Sequence, residues 1–123
     1  MPTVLAAVND LFFSSRIQET ARHTGTKLLS ASNAAQLLEQ ARAQHPRAII
    51  LDLNSPDHAP LESVQRLKAD PELKAIPVVG YLSHVQVDLS QRARAAGCDY
   101  VLPRSTFTER LPDILSGTFF TAK

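Results

Sequence analysis

Asp52 closes the run Ala48-Ile49-Ile50-Leu51 and is followed by Leu53-Asn54-Ser55-Pro56. An apolar, β-branched run that ends in a carboxylate and a proline loop reads as the end of a buried strand. A carboxylate there can attack phosphorus or hold a hard cation. A second apolar run, Val4 to Val8, stops at Asn9-Asp10. If the two runs are neighbouring parallel strands, Asp10 and Asp52 meet outside their carboxyl ends, where open α/β sheets gather their chemistry. Two such carboxylates repel unless a proton or a cation lies between them. Mg²⁺ suits the pair, because it takes a few carboxylates and keeps several waters.

The remaining segments supply the scaffold. Phe12, Phe13, Ile17 and Ala21 recur at helical spacing up to Gly25. Lys27 to Ser30 is a second, weaker strand, and Ser32 or Asn33 can cap a helix from Ala34 to about Gln44. Leu61, Val64 and Leu67 mark a third helix from Leu61 to Lys68, and Ile76 to Leu82 is the fourth strand, with Pro77 at its entry. A helix from Val87 to Ala96 precedes Gly97, a fifth strand covers Asp99 to Leu102, and a last helix runs from Thr106 to about Ser116. The tail from Thr118 to Lys123 is expected to fray. Strand and helix alternate five times, so the spacing predicts an α/β fold, a parallel five-stranded sheet with helices on both faces; in a sheet of order 2-1-3-4-5 the first and third strands are neighbours at the switch point.

Bulk properties narrow the function. With 123 residues, residues 1–123 are expected to form one domain, and an apolar share of 44% suffices for a core without disulfides. The net charge of +1, with no basic block, argues against nucleic acid as partner. No run approaches membrane-spanning length, the start Met1-Pro2-Thr3-Val4 has no signal-peptide pattern, and a lone Cys98 cannot make an internal disulfide. A cytoplasmic protein that does not bind membranes is expected. The chain stops soon after the last helix, so it is expected to act alone or as part of a longer protein.

In order and spacing, Asn9-Asp10, Asp52-Leu53-Asn54-Ser55-Pro56, Ile76-Pro77-Val78-Val79 and Ala96-Gly97-Cys98-Asp99-Tyr100 resemble the receiver domains of two-component response regulators, of the chemotaxis-regulator type. The resemblance covers nearly the whole chain. It implies a flavodoxin-like (βα)5 fold, Asp52 as phosphoacceptor, and Mg²⁺ held by Asp10, Asp52 and the backbone carbonyl of Asn54. A histidine kinase, phosphotransfer protein or downstream effector would be the partner, docking on the fourth helix, fifth strand and last helix.

The departures from that pattern are chemical. One acid of the family's pair is Asn9, and the Ser/Thr that closes the fourth strand falls on Leu82. Ser83 is one residue later and, in a continuing strand, points to the other side. The family's Lys-Pro becomes Arg104-Ser105, and its aromatic switch position falls on Val101, beside Tyr100. Arg keeps the charge on a wider, planar head, and a salt bridge from Arg104 to Asp10 or Asp52 is the alternative to a plain surface charge. By analogy with an oxyanion-hole deletion, losing one donor to the phosphoryl oxygens costs about 2.7–4 kcal/mol. Leu82 also offers phosphate no differential contact, and without one a ligand shifts no equilibrium. A degenerate receiver is expected: fold intact, Mg²⁺ weak, phosphorylation of Asp52 slow or absent, signalling by docking. The alternative is a conventional receiver phosphorylated on Asp52.

Other readings are weaker. Phosphatases that use an aspartyl nucleophile carry a second Asp two residues on, where this chain has Asn54, so no enzyme is expected. A flavin carrier lacks its phosphate loop after the first strand. His23, His45, His58 and His84 show no metal spacing and are expected as exposed residues, with His58 and His84 on loops flanking the site. Cys98 reads as a small core residue, and one of Phe12 and Phe13 must face solvent. Phe119 and Phe120 are expected to pack on the sheet edge or meet a partner.

Overall fold

The apolar runs form the strands β1 (Thr3–Ala7), β2 (Lys27–Ser30), β3 (Ala48–Asp52), β4 (Val78–Leu82) and β5 (Tyr100–Pro103). The computed structural model describes residues 2–83 and 86–121. All four strand pairs are parallel, as the alternation predicts, and the order is β2-β1-β3-β4-β5, as expected for the (βα)5 fold that the resemblance implies. Helices α1 (Leu11–Thr24), α2 (Ala34–Gln44), α3 (Pro60–Ala69), α4 (Val87–Ala96), α5 (Arg104–Ser116) and α6 (Thr118–Thr121) connect and cover them.

Each face of the sheet carries its own core. Leu5, Ile49, Leu51, Val78 and Leu82 pack with residues of α2, α3 and α4. Val4, Ile50, Val79 and Tyr81 pack with Phe13 and Ile17 of α1 and with Phe107, Leu111 and Ile114 of α5. Strands buried on both sides explain why β1, β3 and β4 read as continuous apolar runs. Gly80 is required by close packing: a Cβ there would stand 2.8 Å from Leu53 Cδ1 and 3.0 Å from Cys98 Sγ.

Several boundaries differ from the sequence expectation. β4 begins at Val78 rather than Ile76, since Pro77 has no N–H for the ladder; the Pro77 carbonyl still accepts from Ile49 N–H at 3.0 Å. The last helix begins at Arg104, two residues early, directly behind Pro103. The tail does not fray through its first turn: α6 brings Phe119 and Phe120 against Tyr100 at 4.9 and 5.7 Å, which bears out packing at the β5 edge. Phe12 is 92% exposed and Phe13 is buried, as amphipathicity requires. Cys98 is buried, and burial pushes its thiol up to about 11.

Candidate functional site

The site forms where β1, β3 and β4 end. β1 delivers Asp10 to the start of α1, where its side chain accepts from Phe13 N–H at 3.2 Å and its carbonyl from Ser14 N–H at 2.8 Å. Asp10 is thus the N-cap. Its second oxygen accepts from the Arg104 guanidinium at 3.0 Å. Arg104 in turn lies 4.2 Å above the Phe13 ring, a cation–π contact that fixes its plane. The Phe13 N–H, then Arg104, hold the Asp10 carboxyl below the usual carboxylate range.

Asp52 is the last residue of β3 and is half-buried. Its Oδ1 accepts from Asn54 N–H at 2.9 Å. Burial pushes its carboxyl above the usual range, against the opposing pull of the Asn54 N–H and of Arg104. Asp10 and Arg104 both act on it electrostatically, so the three groups share one site, as the strand order predicts. Of the two partners expected for Arg104, the salt bridge goes to Asp10.

The departures each take a definite place. Leu82 is buried in the aliphatic core and turns no group toward Asp52. Ser83 is exposed, and both its N–H and its hydroxyl donate to Asn54 Oδ1, at 2.8 and 3.1 Å. Asn54 Nδ2 donates to Gln86 Oε1 at 2.8 Å, so this side chain joins the loop after β3 to the loop after β4. Asn9 Nδ2 donates to Asp57 Oδ2 at 2.8 Å and to the Ser32 carbonyl at 3.3 Å. Val101 is buried and Tyr100 partly exposed.

His58 contradicts the expectation of an exposed loop histidine: it is fully buried. Its Nε2 donates to the Ala31 carbonyl at 2.6 Å, and its Nδ1 shares a hydrogen bond with the Ser55 hydroxyl at 2.8 Å. The Ser63 hydroxyl donates to its carbonyl at 2.5 Å. A buried imidazole satisfied at both nitrogens pins the loop that carries Asn54 and Ser55. This anchoring role, and the acceptor role of Asp57, were not read from the sequence. His84 lies outside the described residues.

Mg²⁺ fits this arrangement poorly. The ion needs near-octahedral oxygen donors with carboxylates free to supply them. Asp10 spends one oxygen on the helix cap and the other on a guanidinium, and Asn9 brings no charge. Among the described residues no three acidic, histidine or cysteine side chains gather as a metal site.

A shallow depression of about 620 Å³ beside the pair is lined by Phe12, Phe13, Arg16, Ser83, Arg104, Ser105 and Thr108. It leaves the arginine face open to solvent.

No protein-family model matches the chain. It is similar to the polar-differentiation response regulator DivK of Brucella ovis, 30% identical over 76 residues, a segment that spans 62% of each chain. Its similarity to DivK of Brucella anthropi runs over 100 residues at 27% identity, 80% of this chain and 81% of that one. Among solved structures, a response regulator from Hahella chejuensis superposes with a TM-score of 0.85 at 22% identity, over 94% of this chain and 93% of that one. The chemotaxis response regulator CheY4 of Vibrio cholerae gives 0.82 at 21% identity, over 95% and 98%. In sequence the chain is thus similar to response regulators named DivK, and its fold is that of the response-regulator receiver domains.

Proposed function

We propose that this chain is an atypical receiver domain of two-component phosphorelay signalling that works mainly by docking a signalling protein, with phosphorylation of Asp52 weak or absent. The ion pair between Arg104 and Asp10 at 3.0 Å carries this reading. It puts a fixed cation where a phosphoryl-transfer site needs an exchangeable one, and catalysis of that transfer is almost entirely positioning plus charge stabilisation. Leu82 adds to it by withholding a hydroxyl from the mouth of the site.

The partner in this reading is a histidine kinase, a phosphotransfer protein or a downstream effector; nucleic acid and membrane are not partners. No helix among the described residues is long and apolar enough to cross a membrane, which supports a cytoplasmic setting. The docking face is the groove between α4 and β5, where Leu82, Val101 and Pro103 form an apolar wall and Val87 is 63% exposed. No catalysis is assigned to the chain.

The test is incubation with acetyl phosphate and Mg²⁺, followed by intact mass. Little or no addition is expected over times that label a conventional receiver fully. Fast, stoichiometric addition, absent from Asp52→Asn, would overturn the reading in favour of a conventional receiver phosphorylated on Asp52.

A further inference from the structure

Among the described residues, two buried side-chain polar atoms have no hydrogen-bond partner: Arg47 Nε and the Tyr81 hydroxyl. Another nitrogen of the same guanidinium, Arg47 Nη2, donates to the Leu115 carbonyl near the end of α5. The Tyr81 hydroxyl, on a residue only 2% exposed, has no such use. Buried polar groups without a partner are rare enough that each calls for a reason.

Three observations direct this hydroxyl to Asp52. Tyr81 is the residue paired with Asp52 in the β3–β4 register. Asp52 alternates with Ile50, and Ile50, Val79 and Tyr81 share one face of the sheet, so both side chains leave on that face. Among charged groups, the Asp52 carboxylate acts on the phenol most strongly, ahead of Arg104 and Asp10. Phe13 and Phe107 pack against the ring at 4.9 and 4.8 Å and against each other at 5.6 Å. Burial raises the phenol's pKa and keeps it protonated, so it is available as a donor.

We propose that Tyr81 is a positioning residue for Asp52: its O–H donates to an Asp52 side-chain oxygen and supplies, from one residue earlier on β4, the hydroxyl that Leu82 lacks. The inference rests on Asp52 being the centre of the site, the reading proposed above. A hydroxyl on a ring fixed in a cluster with two phenylalanines approaches from the packed face and is in place before any anion arrives. It therefore holds the carboxylate instead of responding to a phosphoryl group. With Arg104 on Asp10, both acids of the site are then satisfied within the chain.

Tyr81 and Tyr100 are the two tyrosines of the sequence, so tyrosine labelled with ¹³C at Cζ gives two signals, which Tyr81→Phe assigns. The spectra are recorded on the free protein, with neither phosphodonor nor Mg²⁺. Asp52→Ala should move the Tyr81 signal and leave that of Tyr100. Asp52→Asn, which keeps a carbonyl acceptor, should move it less. A Tyr81 signal displaced no more than that of Tyr100 overturns the inference. Equal displacement in both variants overturns it too, because lost charge alone then accounts for the shift. Should Asp52→Ala not fold, the unmutated protein decides: in half-deuterated water a slowly exchanging, hydrogen-bonded O–H splits the Tyr81 signal, and an unsplit signal overturns the inference. Acetyl phosphate labelling bears only on the proposed function, so the two can fail separately.

Discussion

Asp10 and Asp52 follow and end neighbouring strands and lie near one arginine, yet their surroundings oppose each other. Asp10 is exposed and rests on a helix N-terminus, with an N–H on one oxygen and a guanidinium on the other. Asp52 is half-buried against the β4 strand and receives a single backbone N–H. The first carboxyl is held below its usual range and the second is pushed above it. The same residue type, past the end of β1 in one case and on the last residue of β3 in the other, thus becomes a settled charge and an unsettled one. The difference lies in what α1 and β4 place beside them, not in the acids themselves.

The contrast breaks most severely if the aromatic floor on the Asp52 side is removed. Phe107 is fully buried and stacks on Tyr81. Phe107→Ala should cost about 3–5 kcal/mol in urea unfolding, the usual range for a buried phenylalanine. A loss under about 1 kcal/mol would mean that this floor is not holding the β4 side.

Arg104→Ala attacks the other half. It frees one oxygen of Asp10 and removes a cation from the site, so Mg²⁺ should bind more tightly, by roughly fivefold for one screened charge at contact distance. Calorimetric titration reads the change. Unaltered affinity would show that the ion pair does not govern cation entry.

The smallest effect is a pair of opposing pH slopes. The Asp10 pKa is lowered in the folded protein, so its stabilisation is full above the ordinary carboxylate pKa and is lost as pH falls toward the lowered value. The Asp52 pKa is raised, so its ionised form opposes folding, and lowering the pH through the raised pKa relieves that cost. At neutral pH, Asp52→Asn should therefore raise the urea midpoint, with a gain in unfolding free energy under about 1 kcal/mol given its partial exposure to solvent. Asp10→Asn, which can still cap α1, should instead flatten the acid limb below the ordinary carboxylate range. A lower midpoint for Asp52→Asn at neutral pH would reverse the assigned contrast.

The strands, their order and the meeting of Asp10 with Asp52 were legible because burial on both faces writes uninterrupted apolar runs into β1, β3 and β4. The positions of Leu82 and Arg104 followed from laying the family pattern on the spacing of the strand ends. What escaped were contacts between segments far apart in the chain. Asn9 finds Asp57, Arg104 chooses Asp10 over Asp52, and the buried His58 reaches the Ala31 carbonyl. Such side-chain hydrogen bonds leave no periodicity, and a histidine between Asp57 and Ala59 reads like any loop residue. The α6 turn was missed for a related reason: its stability comes from Tyr100, eighteen or more residues earlier, rather than from its own four residues.

The Asn54 side chain accepts from Ser83 and donates to Gln86, while its backbone N–H donates to Asp52. One residue therefore hears both the aspartate and the segment leading into α4. Thermodynamic linkage makes such traffic two-way. To whatever degree a change at Asp52 biases α4, a protein gripping α4 biases Asp52 by the same free energy, so the receiving end of this module can also be an end that speaks.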